Sequence, residues 1–145
     1  MSTPSNLDVF NETVGKTFAF LYENFPRKVT IDVCALTGVS GPTFEEDRST
    51  RRQRVEALDL RCDSISWLVD AGYVSAKSSS LYYFSDAVLT AKGLELLKLD
   101  PESLKQSFGD KLVDAAKSGS MDAIKNTASS ALTTGLSFAF NSLLG

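Results

Sequence analysis

Along much of the chain, apolar residues return every three or four positions, the spacing of one helix face. Phe10, Val14, Phe18, Leu21 and Phe25 form the first stripe, closed before Pro26. Residues 1–7 read as a frayed lead, Asn6 or Asp8 as the cap, and Glu12 as a first-turn carboxylate. Phe20 and Tyr22 lie off the stripe and offer a second apolar surface, suited to a partner. A brief strand is expected at Lys28 to Thr30. Thr30 or Asp32 then caps a short helix through Val33, Cys34, Ala35 and Leu36, stopped by Gly38. Val39 to Ser49 contains Gly41, Pro42 and the acidic run Glu45-Glu46-Asp47, and reads as a loop. A long helix is predicted from about Thr50 to Ala71. Val55, Leu58, Cys62, Ile65 and Leu68 form its inward stripe, and Gly72 ends it.

The period changes after Gly72. Tyr73 to Ala76 predicts a strand, Lys77-Ser78-Ser79-Ser80 a polar turn, and the aromatic segment Leu81 to Ser85 a returning strand. Thr90 caps the next helix, which runs to Leu99 with Leu89, Leu94 and Leu97 inward and breaks at Asp100-Pro101. Pro101 opens a short helix from Glu102 to Ser107. The tail begins near Phe108. Leu112, Val113, Ala115 and Ala116 mark an amphipathic helix that stops at Gly119, and Ser120 or Asp122 starts the last one. That helix carries the stripe Leu132, Leu136, Phe140 and Leu143, widened by Ala128, Ala131, Phe138 and Ala139. No charged residue occurs from Asn126 to Gly145.

Two phrases in this layout carry a resemblance. Trp67-Leu68-Val69-Asp70-Ala71-Gly72-Tyr73-Val74 resembles the end of the third helix in winged helix-turn-helix proteins of the bacterial regulator type. Leu89-Thr90-Ala91-Lys92-Gly93 resembles the entry to the helix that follows their wing. This resemblance covers about Phe10 to Leu99. The chain as a whole, including Phe25-Pro26-Arg27 and residues 109–119, is similar to an uncharacterised bacterial family with a helical C-terminal extension. That likeness brings no activity with it. The implied fold class is mainly α with a small β wing (α+β): a winged helix-turn-helix plus C-terminal helices. The implied division is a winged-helix domain over residues 8–100 and an oligomerising extension over 101–145. In such regulators the third helix enters the major groove. Here its outward positions include Asp59, Asp63, Ser64 and Asp70, and carboxylates repel phosphates.

Composition narrows the function further. The 145 residues are 43% hydrophobic, which suits one cored domain with an appendage. A net charge of −3 counts against a salt-driven DNA clamp, which needs a basic surplus. The absence of histidine removes the commonest general base and metal ligand. The sequence also carries no nucleophile elbow, phosphate-cradling Gly loop or metal-ligand spacing, so no catalysis, cofactor or metal is expected. Asp59 and Asp63 read as a solvated face rather than an acid–base pair. Cys34 and Cys62 sit in apolar helical patterns and read as buried free thiols of a reducing cytosol. The first residues lack a basic, apolar leader, and the expected location is cytoplasmic.

Candidate nucleic-acid contacts are Arg48, Arg51, Arg52, Arg54 and Arg61, with Lys77 on the wing. The competing reading is an exposed helix start salted by Glu45, Glu46, Asp47, Glu56 and Asp59. Trp67, Tyr82, Tyr83 and Phe84 are read as core or interface packing ahead of base stacking. The last helix is the sharper clue, because a broad apolar stripe needs cover. Leu132, Leu136, Phe140 and Leu143 are the candidate oligomer interface. A homo-oligomer, with a dimer favoured, ranks ahead of packing on the same domain. Membrane contact ranks last, because Asn126, Thr127, Ser129, Ser130, Thr133 and Thr134 make one side polar. The leading expectation is a non-catalytic winged-helix module that self-associates and binds protein partners. The alternatives are a DNA-binding transcription regulator using Arg48 to Arg61 and the wing, and a peripheral membrane protein anchored by the C-terminal helix.

Overall fold

Helix α1 (Asn6–Asn24) is the axis of the molecule, and it is buried on more than one side. The computed structural model describes residues 5–100 and 106–144, and their side chains apart from those of 79, 80 and 137–144. Val14, Phe18 and Leu21 of the expected stripe are buried, but so are Val9, Thr13, Gly15, Thr17 and Ala19. Thr13 and Thr17 enter the core because each hydroxyl donates one turn back, to the carbonyls of Val9 (2.8 Å) and Thr13 (2.7 Å). The cap is Ser5 rather than Asn6 or Asp8, since Ser5 Oγ accepts from the Asp8 N–H at 3.1 Å. Residues 1–4 of the expected lead lie outside the described residues.

β1 (Val29–Asp32) runs straight into α2 (Val33–Thr37), which Asp32 caps and Gly38 closes. A loop over residues 38–47 leads to α3 (Arg48–Asp70). Asp47 caps α3, its carboxylate accepting from the Thr50 N–H at 2.6 Å, so the helix starts two residues before the expected Thr50. Leu58, Ile65 and Leu68 are fully buried, whereas Val55 and Cys62 are only half-buried. Ser64 departs from the outward placement expected of it. It is 4% exposed and donates to the Leu60 carbonyl at 2.8 Å, so its hydroxyl is satisfied inside the core.

Gly72, at φ 87°, turns the chain out of α3 in a conformation that side-chain-bearing residues resist. β2 (Val74–Ser80) and β3 (Tyr83–Leu89) follow, and the antiparallel sheet has the order β1-β3-β2. The brief strand expected at Lys28 to Thr30 is β1, which reaches Asp32 and pairs with β3, so the expected two-stranded hairpin is part of a three-stranded sheet. The turn also moves, from Lys77–Ser80 to Leu81–Tyr82, and β2 runs through the serines. The reason is that β2 is an edge strand with Ser75, Lys77 and Ser78 exposed; polar residues suit an edge and imitate a turn in sequence. The central strand β3 buries Phe84, Ala87 and Leu89. Register slips against both neighbours between Phe84 and Val88, and Asp86 sits there at φ 52°, which is the signature of a bulge in β3.

Thr90 then joins two helices. Its oxygen accepts from the Gly93 N–H at 3.1 Å, capping α4 (Ala91–Lys98). Its hydroxyl donates to the Gly72 carbonyl at 2.5 Å, tying the end of α3 to the start of α4 across the hairpin. The short helix expected over Glu102 to Ser107 lies, for 101–105, outside the described residues; Ser107 caps α5 (Phe108–Ser118). Helix α6 (Met121–Leu144) follows.

These last helices close the core from the far side of α1. Phe108, Leu112 and Ala115 of α5 and Ile124, Ala128 and Ala131 of α6 are buried. The main apolar cluster is continuous from Val14 and Phe18 through Leu58 and Leu97 to Leu112, Ala128 and Ala131. The ring of Tyr22 lies against Gly109, so this second apolar surface of α1 is covered by the same chain rather than by a partner. α6 comes so near α1 that a Cβ on Gly15 would strike the Ile124 side chain and lie 3.0 Å from its carbonyl oxygen. The close packing therefore uses small residues where the stripe expected to need cover uses leucines.

Two outcomes follow from these joints. Thr90→Ala removes a cap and a hydrogen bond together and lowers urea-unfolding stability by about 1–2 kcal/mol, while Thr90→Ser retains most of it. Gly15→Val overpacks the α1–α6 contact, costs about 1–3 kcal/mol, and speeds amide exchange over residues 121–131 ahead of the rest of the chain.

Candidate interaction surface

The arginines open α3, where the helix dipole is positive and cations are unfavourable. Asp47 and Glu46 offset this. The Asp47 carboxyl is held below its usual range by the Thr50 N–H and side chain, with Arg51 adding to it. Glu46 pairs with Arg54 at 2.6 Å. Arg61 turns back on its own helix and donates to the Ala57 carbonyl at 2.9 Å. Arg51 is half-buried, which leaves Arg48 and Arg52 exposed. On the hairpin, Lys77 faces Asp86 at 3.7 Å. The candidate nucleic-acid contacts thus do not form one open basic patch. Further along α3, Glu56, Asp59, Asp63 and Asp70 are all exposed.

A shallow hollow of about 300 Å³ separates α3 from the hairpin, lined by Asp59, Cys62, Ser66, Tyr82 and Phe84 among others. Burial, reinforced by Asp59 and Asp63, pushes the Cys62 thiol up to about 11. Burial also raises Cys34, with Asp32 adding to it, and both cysteines are free. Neither environment makes a thiolate nucleophile at neutral pH. Among the described residues no cluster of three or more His, Cys, Asp or Glu could hold a metal.

The opposite end of α3 presents an apolar side beside the exposed Asp70. Trp67 is 47% exposed and meets Phe10 of α1 edge to face, the ring centroids 5.3 Å apart. Together with Leu7, Tyr73, Leu132 and Leu136 they line a groove of about 570 Å³ between the start of α1, the end of α3 and α6. Leu7 is 71% and Leu136 70% exposed on its rim. Among the described residues, Lys92 is the charged residue of its wall. The Lys92 ammonium donates to the Ala71 carbonyl at 2.8 Å, beyond the last turn of α3, and lies 4.5 Å from the centre of the Tyr73 ring. Tyr73 in turn stacks edge to face on Phe18, at 6.1 Å between centroids.

Of the four residues chosen as the oligomer interface, Leu132 is half-buried against the core and Leu136 is exposed on the rim. Phe140 and Leu143 lie outside the described side chains. Leu7 falls in the expected frayed lead and Lys92 enters only through the Leu89-Thr90-Ala91-Lys92-Gly93 phrase, so neither has a surface role in the sequence reading. Phe44, in the loop before α3, likewise has none there and is 97% exposed.

No protein-family model matches the chain, and no curated protein or solved structure matches it. Among the described residues, no helix is long and apolar enough to cross a membrane. The Cys62 environment has a direct readout: at pH 8, Cys62 should react with a disulfide reagent roughly a hundredfold more slowly than an unperturbed thiol, its thiolate fraction being lower by that factor. Reaction at the ordinary rate would show that the hollow does not shield it.

Proposed function

We propose that the chain is a non-catalytic winged-helix interaction module that self-associates and binds protein through the groove at the end of α3. The element order supports the winged-helix part of this reading: helix, strand, two helices, then a hairpin whose central strand also pairs with β1. The observation that carries the function is the groove itself. Leu7, Trp67 and Leu136 stand exposed around one concave, mostly apolar surface, which is the anatomy of a protein-binding site. The basic end of α3 supports nucleic acid less well, since Arg54 is ion-paired, Arg61 is bonded to its own helix, and Asp59, Asp63 and Asp70 are exposed along the same helix.

Electrophoretic mobility shift with random duplex DNA at low salt tests the choice and should show little retardation. Tight binding that is lost on adding salt and on Arg48→Ala with Arg52→Ala would replace this reading with the DNA-binding one. Vesicle flotation of the full chain should leave it unbound; flotation that Leu136→Glu abolishes would favour membrane attachment.

A further inference from the structure

We propose that Phe44 of one copy seats in the Trp67 groove of a second copy, so that molecules join head to tail. This rests on the self-association reading and names the two surfaces that meet. Phe44 is 97% exposed, an extreme position for a ring that gains most from being covered. The chain just after it is clamped twice, by the Glu46–Arg54 pair at 2.6 Å and by the Asp47 cap on Thr50 at 2.6 Å. The ring is therefore presented from an anchored loop, and ordering it on binding costs less than for a free one.

Charge matches across the two surfaces. Glu45 flanks Phe44, is exposed, and makes no ion pair among the described residues. The groove that would receive the ring carries Lys92, held in place by the Ala71 carbonyl and the Tyr73 face. The groove walls are also aromatic and apolar, with Phe10, Trp67 and Tyr73 available to a third ring.

One molecule cannot satisfy both surfaces by itself. Trp67 lies nineteen residues beyond Arg48 on α3, about 28 Å along the axis at 1.5 Å per residue. The four residues from Phe44 to Arg48 reach at most about 14 Å. Each copy therefore offers a knob at one end of α3 and a hole at the other. Such an interface is heterologous: it gives a ring when the rotation closes and an open chain of molecules when it does not.

The test measures mass by light scattering on the full chain over a range of concentrations. Phe44→Glu removes the knob, and Leu136→Glu places a charge on the rim of the hole. Both positions are exposed, so circular dichroism and the unfolding midpoint should stay at the wild-type values. If Leu136→Glu fails to fold, Thr133→Trp blocks the same wall. Wild type should exceed the monomer mass as concentration rises, less so at high salt. Each variant alone should weaken association by at least about 30-fold, the loss typical of a central anchor. An equimolar mixture of the two variants should form a one-to-one dimer and stop there, since only one intact knob and one intact hole meet. Loss of assembly in Leu136→Glu but not Phe44→Glu, or a mixture that stays monomeric, overturns the head-to-tail pairing while self-association stands. A wild type that is monomeric at every concentration overturns both.

Discussion

The approach of α6 to α1 at Gly15 is the contact on which the rest depends. A helix that is apolar on one face needs one neighbour, but α1 is buried on nearly every side and needs cover from two directions. The sheet and α3 supply one cover, and α5 with α6 supply the other. The second cover can come close only because position 15 has no side chain and the facing positions are Ile124 and Ala128. Small residues give up transfer energy per residue but allow dense contact along the helix, and dense contact is what fills a core. Helices α5 and α6 are thus part of the same core as the helices and sheet before them, and α6 presents Leu136 outward.

That division of α6 creates the groove. Because Ala128 and Ala131 face inward, Leu132 and Leu136 lie beside Trp67 and Phe10 instead of beneath them. α3 completes the arrangement by changing character along its length. Its first turns hold arginines compensated by Glu46 and Asp47, its middle shows carboxylates to solvent, and its last turn sets Trp67, Leu68 and Val69 beside the exposed Asp70. A surface of this kind selects partners by shape and by one well-placed cation more than by a broad field.

Much of the fold is legible in the sequence because helix ends are written in single residues. Gly38, Gly72 and Gly119 stop helices where expected, and Asp32 and Thr90 cap them, each for a local reason that tertiary packing does not override. The failures are equally physical. The serines of β2 look like a turn because an edge strand and a turn both favour polar residues. Ser64 looks exposed because sequence does not show that its hydroxyl bonds to Leu60. The buried face of α6 was hidden behind a stripe of larger residues: leucine weighs more than alanine in any hydrophobic pattern, yet the glycine opposite decides which face docks. The groove itself was only half legible. Leu132, Leu136 and Trp67 could be found, whereas Leu7, Phe10, Tyr73 and Lys92 come together from distant parts of the chain.

Pairing the first helix with the last also governs how the protein comes into being. During synthesis α1 emerges before α5 and α6, and part of its apolar surface has no mate until residue 131 has been added. Through that interval the nascent chain carries Gly15 and Tyr22 without their native cover, a span that invites chaperones or premature association. Contacts this distant along the chain also slow folding, because a loop of more than a hundred residues must close before they form. The architecture therefore trades rapid, stepwise folding for a core that locks only when α1 and α6 have met.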